Sequence, residues 1–341
     1  MAPSQPDPSI VNNCRSLSGM RRFSHEAMAT TYEILILHEN MKYAGQAARA
    51  AFNELDRLEQ MFSRFIENSD ISQINFHAAD QLVYVGPETF ECLQIAVQMY
   101  DQTNGAFDIT IGPLLNCWHN KNTYMPSQEE LDFAAARTGM HLLQLDETEQ
   151  AVRLLTQGTQ IDLGGIGKGY AVNRMARLLR EWSIDAALIH GGYSSVLALD
   201  GPADTKGWPV TLSNPRNHHD ILAYLHLRNQ TLSSSGLKKG LHIIDPRTAR
   251  PVSGKIAAWS LPPATELAPI DGAQADALST AFMVMSLDEI DRYCSSDFGQ
   301  GLRAIVILDE QDTQTYSNKV LRFGPWPESN LKPQNNTNHK E

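Results

Sequence analysis

Cysteine is scarce in this chain. Cys14, Cys92, Cys117 and Cys294 are four among 341 residues, and no two form a C-x-x-C pair. That excludes a disulfide-dense secreted scaffold and leaves ordinary reduced thiols. Positive charge is short as well: 28 Lys and Arg against 39 Asp and Glu give a net charge of -11, with no long basic run. A duplex nucleic-acid partner is therefore disfavoured. No apolar run approaches the roughly 20 residues a spanning helix needs, and the first twenty residues lack the apolar core of a signal peptide. The expectation is a soluble cytoplasmic protein with no membrane insertion. What the chain does have is 42% hydrophobic residues, enough to bury the core of one large or two ordinary domains.

Residues 1–20 and 325–341 are rich in Pro, Ser and Asn without periodicity and read as disordered tails around one folded domain at 21–324. Within it, Thr31 to Leu37 alternates like a half-buried strand, and the next stretch places Ala48, Phe52, Leu55 and Phe62 on one helical face. Pro87 to Thr103 reads as a second helix with Pro in its first turn and Asn104-Gly105 as its stop. Ser127 and Glu130 form a capping box for a short third helix. Two short strands around Leu142 to Leu155, a helix from Lys168 to Trp182 and another at 274–286 follow, with strands at 186–190, 195–199, 208–212, 222–227 and 302–308. Connections between strands near 186–234 are too short for helical crossovers. The pattern predicts an α+β fold with mainly antiparallel sheets flanked by helices.

Three segments can carry chemistry. Asp162-Leu163-Gly164-Gly165-Ile166-Gly167-Lys168-Gly169 follows a strand and opens a helix, where backbone amides can approach a phosphate. Its spacing fits neither the P-loop nor the dinucleotide fingerprint, and a plain tight turn is the alternative. Asp276 and Thr280 lie four apart, hence on one helical face about a turn apart. They are oxygen donors suited to Mg²⁺; the alternative is a dipole-favoured Asp with a Thr bonded back to a carbonyl. His242 precedes Ile243-Ile244-Asp245-Pro246-Arg247 and has the pKa range of a general base. There the alternative is a turn held by Asp245 with Arg247 in solvent. Upstream, Asp108 and Thr110 share a face if the chain is extended.

The ordered run GAFDITIGPLLNCW, IDLGGIGKGYAVNRMARLL, ALIHGG, LSSSG, HIIDPRTARPV and ADALSTAF resembles the ApbE-like FAD:protein FMN transferase family. HEAMATTYEI and RFIENSDISQIN match that family's opening strand and its Ser-rich loop before an Asn. The resemblance spans about Phe23 to Leu308. It implies a two-lobed α+β fold holding FAD in a central cleft with Mg²⁺ on the pyrophosphate. FMN passes to a Thr hydroxyl of an acceptor flavoprotein and AMP leaves. By the same resemblance Asp276 and Thr280 are metal-binding side chains, with carbonyls of Gly165 and Ser279 completing the protein ligands. Met28, Asp108, Ile109, Thr110, Asp162, Lys168 and Ile243 match positions that contact FAD. His242 matches a catalytic His, and Asp276 is the second residue given a catalytic role. A non-catalytic FAD-binding protein and an Mg²⁺-dependent FAD pyrophosphatase are the alternatives.

The sequence also departs from the family. It has Ala29 and Ala249 where the family usually has Gly, and Tyr193 and Asn173 where Asp is usual. Leu237-Lys238-Lys239 follows the Ser235-Gly236 turn in place of acidic and Tyr residues, and a longer segment precedes ADALSTAF.

Overall fold

A computed structural model describes residues 19–119, 125–237, 242–264, 271–309 and 320–327. Eight antiparallel strands form the main sheet: β1 (Met20–Ala27), β2 (Thr30–Leu37), β3 (Ala187–Gly191), β4 (Ser195–Ala198), β5 (Gln230–Gly236), β6 (Lys255–Leu261), β7 (Arg303–Leu308) and β8 (Val320–Phe323). Their spatial order is their order along the chain, and every pairing is antiparallel. This bears out the antiparallel α+β expectation. Helices enter as excursions between neighbouring strands, and no parallel crossover is needed inside this sheet.

Alternation along the strands gives the sheet two apolar faces. Tyr32, Ile34, Ile36, Ile189, Leu197, Ala258, Ala304 and Val306 face the helical layer. Leu35, Leu188, Val196, Leu232, Ala257, Trp259 and Ile305 face the other way, against the hairpin Trp208–Asn214 and Asn217–Leu227. The hairpin's Trp208, Val210, Leu212, Leu225 and Leu227 cover that second face.

The helical layer comprises α1 (Met41–Phe62), α2 (Asp70–His77), α3 (Pro87–Gln102), α6 (Gly167–Glu181), α7 (Gly272–Val284) and α8 (Leu287–Ser295), while α4 (Gly112–His119) and α5 (Gln128–Ala135) pack on each other in a separate cluster of Leu114, Ala134 and Ile244. Asn40 caps α1 by accepting from the Tyr43 amide at 3.0 Å, and the helix buries Ala44, Ala48, Phe52, Leu55 and Phe62. The Ser127–Glu130 capping box opens α5 with both of its reciprocal hydrogen bonds made. Helix α7 is buried on nearly every side, and the Asp271 side chain caps it by accepting from Gln274 at 2.9 Å. None of the described helices is long and apolar enough to cross a membrane.

The expected tails lie mostly outside the described residues, as do Cys14 and Lys238-Lys239. Where they are described, Met20 opens β1 and the Trp326 indole N–H bonds to the Phe323 carbonyl at 2.9 Å.

Candidate active site

The site is assembled where α6 crosses α7 beneath the ends of β4 and β5. A Cβ on Gly169 would lie 2.0 Å from the Gly272 carbonyl oxygen, and one on Gly272 2.3 Å from that of Gly169. The two helices therefore touch backbone to backbone. That contact brings the Gly169 amide within 3.0 Å of the Asp276 Oδ2. Asp276 is 2% exposed, and its Oδ1 accepts from the Ser195 hydroxyl at 3.2 Å. The Lys168 ammonium stands 3.7 Å from Oδ2 and donates to the Gly164 carbonyl at 3.3 Å. Burial raises the Asp276 carboxyl above the ordinary carboxylate range, and the nearby Lys168 charge opposes it.

One turn along α7, hydroxyls collect. Ser235, at the end of β5, lies 2.9 Å from the Ser279 Oγ and 3.0 Å from the Thr280 Oγ1. Ser279 and Thr280 also bond back to the Asp276 carbonyl at 2.9 and 3.3 Å. The plain back-bonding alternative is thus present in the fold without displacing the cluster. Gly165 packs against Thr280: a Cβ there would meet the Thr280 Oγ1 at 3.2 Å and the Phe107 ring at 3.1 Å.

The glycine turn is held from three directions. The Asp162 Oδ1 accepts from the Gly164 amide at 2.7 Å, and its Oδ2 lies 3.0 Å from Arg64 Nε. The Asp162 amide donates to the Ile109 carbonyl at 2.8 Å, which joins the 107–110 segment to the turn. Asn75 clasps the residue before Asp162, donating to the Ile161 carbonyl at 3.0 Å and accepting from its amide at 2.6 Å.

Asp108 and Thr110 are not on an extended strand. The Asp108 Oδ1 accepts from both the amide (2.7 Å) and hydroxyl (2.6 Å) of Thr110, closing a buried turn. Burial raises the Asp108 carboxyl, and the bonds from Thr110 partly oppose this. Thr110 in turn accepts from the Gly139 amide at 2.6 Å. Met28 and Ala29 form the two-residue loop between β1 and β2, with φ of 49° and 57°. The Met28 amide donates to Glu59 at 2.8 Å, and the Tyr32 hydroxyl reaches the Met28 sulfur at 3.3 Å. Burial, with Asp276 and Glu59 nearby, drives the Tyr32 phenol above its usual range.

His242 is exposed and follows residues outside the described set, and Ile243 is buried, its carbonyl accepting from Val252 at 3.0 Å. Asp245 does hold the following turn, by accepting from the Arg247 amide at 2.9 Å. Arg247, however, is tied to Glu289 at 2.8 Å rather than left to solvent. Three contributors escaped the residue-by-residue reading: Ser195, Ser235 and Arg64. Each is a common residue type whose role arises from pairing across the fold, and no local spacing marks it.

A family model described as the ApbE family matches residues 28–306. The chain belongs to the ApbE family. This ApbE family chain is 25% identical over 305 residues to the FAD:protein FMN transferase of Escherichia coli K12, covering 84% of each. It is 28% identical over 256 residues to that of Chlamydia muridarum, covering 71% of this chain and 78% of the relative. Among solved structures, the flavin transferase ApbE of Vibrio cholerae matches with a TM-score of 0.76 at 21% identity, over 89% of this chain and 96% of that one. The ApbE protein of Thermotoga maritima matches at 0.76 and 25% identity, over 89% and 97%. In this structure Asp276, Thr280, Gly165 and Lys168 lie together, with Tyr193 exposed on the turn before Ser195.

Proposed function

We propose that this chain is an Mg²⁺-dependent FAD:protein FMN transferase, moving FMN from FAD to a Thr hydroxyl of an acceptor flavoprotein and releasing AMP. Membership of the ApbE family and relatives bearing the transferase name support the activity. The observation that carries the chemistry is the gathering of a buried carboxylate, the three hydroxyls of Ser235, Ser279 and Thr280 and a glycine turn beside one lysine.

The donor set suits a hard divalent cation, since it contains oxygens only. The Asp276 carboxylate, the Thr280 hydroxyl and the carbonyls of Gly165 and Ser279 would hold Mg²⁺. When bound, the ion supplies charge neutralisation across two adjacent phosphates. The protein's own groups do the rest. Lys168 places a positive charge beside the glycine turn, and the α6 N-terminus adds its oriented amides. Met28, Asp108, Ile109, Thr110, Asp162 and Ile243 are the positions we assign to FAD contact.

In the transfer, the acceptor Thr oxygen bonds to the phosphorus of the FMN half. The phosphate bridge breaks, and AMP departs with the bridging oxygen. The Thr proton passes to a base, a role we give to His242. The test is incubation with FAD, Mg²⁺ and a co-expressed flavoprotein, followed by mass spectrometry. Covalent FMN on a Thr with release of AMP supports the proposal. Free FMN with AMP in the absence of acceptor indicates a pyrophosphatase, and FAD binding without AMP a binding protein.

A further inference from the structure

We propose that Arg64 is a positioning residue for FAD, acting through Asp162, and this rests on the flavin transferase reading above. Arg64 sits between α1 and α2 on a short stretch fixed at both ends. The Ser63 amide closes α1 by donating to Glu59 at 3.1 Å, and the Ser69 hydroxyl returns to the Ser63 carbonyl at 2.6 Å. Ser69 then caps α2, whose Asn75 clasps Ile161 immediately before Asp162. The stretch is thus tied to the glycine turn independently of Arg64.

The Arg64–Asp162 pair is drawn out of water, with side chains only 16% and 18% exposed. Asp162 divides its carboxylate: Oδ2 faces Arg64 at 3.0 Å and Oδ1 accepts from Gly164 at 2.7 Å. The Gly164 carbonyl is in turn the acceptor for Lys168, which stands beside Asp276. A continuous polar chain therefore runs from Arg64 to the proposed metal ligand. The guanidinium does two things along it. Its Nε lies 3.0 Å from Oδ2 outside hydrogen-bond geometry, so it holds the Asp162 carboxylate by charge while the Gly164 amide orients it. It also cancels a half-buried negative charge next to where a pyrophosphate has to settle. Without Arg64, that carboxylate would repel the anionic ligand.

The experiment measures the FAD dissociation constant by flavin fluorescence, with melting temperature and transfer rate at saturating FAD, on five proteins: wild type, Arg64→Ala, Arg64→Lys, Asp162→Asn and the Arg64→Ala/Asp162→Asn double variant. Arg64→Ala should weaken FAD binding about tenfold, the scale of one charge-assisted contact, while changing the saturated rate by under about threefold. In the Asp162→Asn background the same substitution should cost under about twofold, because the charge it compensates is gone. Arg64→Lys should restore most of the affinity. Equal FAD affinity of wild type and Arg64→Ala overturns the proposal, as does an undiminished penalty in the Asp162→Asn background. A fall in melting temperature that Asp162→Asn does not relieve assigns Arg64 to the fold and overturns it too. Wild type that binds no FAD would instead overturn the transferase reading itself.

Discussion

Gly169 of α6 and Gly272 of α7 touch backbone to backbone, so a methyl on Gly169 would stand 2.0 Å from the Gly272 carbonyl oxygen. No other residue fits at either position without parting the helices. The same contact sets the Gly169 amide on Asp276. Fold and site therefore share one constraint. Gly169→Ala should destabilise the protein by about 3 kcal/mol, at the upper end of overpacking costs, and lower the flavin transfer activity of whatever remains folded. Denaturant melts with transfer assays on the same sample check both.

Asp276 carries a conflict between stability and function. Its folded carboxyl titrates above its ordinary range because it is buried, with Lys168 only partly compensating. A carboxyl raised in this way contributes most to stability below the unfolded pKa of about 3.9, and that contribution is lost as pH rises through the folded value. Asp276→Asn keeps the shape: its one oxygen can accept from the Gly169 amide, and its NH2 can donate to the Ser195 hydroxyl, which now accepts. It should match or exceed wild type in melting temperature at pH 7, with the difference shrinking toward pH 4. Metal-dependent turnover should fall at least about a hundredfold, since the only carboxylate of the donor set is gone. Retained turnover would remove the metal assignment.

Two departures from the family coincide with left-handed backbone. Ala29 and Ala249 both have φ of 57°, a conformation that costs a side-chain-bearing residue about 1 kcal/mol and glycine almost nothing. At the β1–β2 hairpin the strain is doubled, because Met28 is also left-handed at 49°, as a two-residue turn with both central φ positive requires. Ala29→Gly and Ala249→Gly should each stabilise by about 1 kcal/mol and add in combination. Thermal melts of the three variants decide it; unchanged melting temperatures would refute the strain.

Much of this architecture was legible in sequence because it is local. The Ser127 capping box, the Pro87 start of α3 and the apolar stripe of α1 depend on neighbours within a turn or two, and all formed as read. The glycine turn and the Asp276–Thr280 spacing were visible for the same reason. Ser235 was not, since it meets Thr280 across 45 positions of chain. Ser195 reaches Asp276 only because β4 lies under α7, and Arg64 finds Asp162 only because Asn75 docks α2 beside it. Asp108 and Thr110 share a face only if that segment is extended, and a short Asp side chain bonding two residues ahead makes a turn there instead.

His242 is exposed, directly before the buried Ile243. As the proposed base for the acceptor hydroxyl, it should contribute about a hundred- to ten-thousand-fold to turnover and little to FAD affinity. His242→Ala should lower the rate on that scale, leave the FAD dissociation constant near wild type, and remove the acidic limb of the pH-rate profile. Undiminished turnover per folded molecule would strike it from the site.

Lys255 closes the far end of the helix that carries the site. It is 7% exposed, and its ammonium donates to the carbonyls of Phe282 at 2.9 Å, Met283 at 3.5 Å and Met285, where α7 runs out of intrahelical partners. Burial lowers its pKa to about 8. Between there and its unfolded value of about 10.4, the unfolded chain binds the extra proton, so Lys255 makes stability rise with pH across that window. Lys255→Met retains the apolar stem but leaves the three carbonyls without this donor. It should lower stability at pH 7 by about 1 to 3 kcal/mol. Because the neutral amine can still donate, the gap between wild type and Lys255→Met should widen from pH 8 to pH 10. Denaturant melts across that range measure it. A gap that stays constant or narrows would mean that Lys255 is not the buried titrating cap of α7.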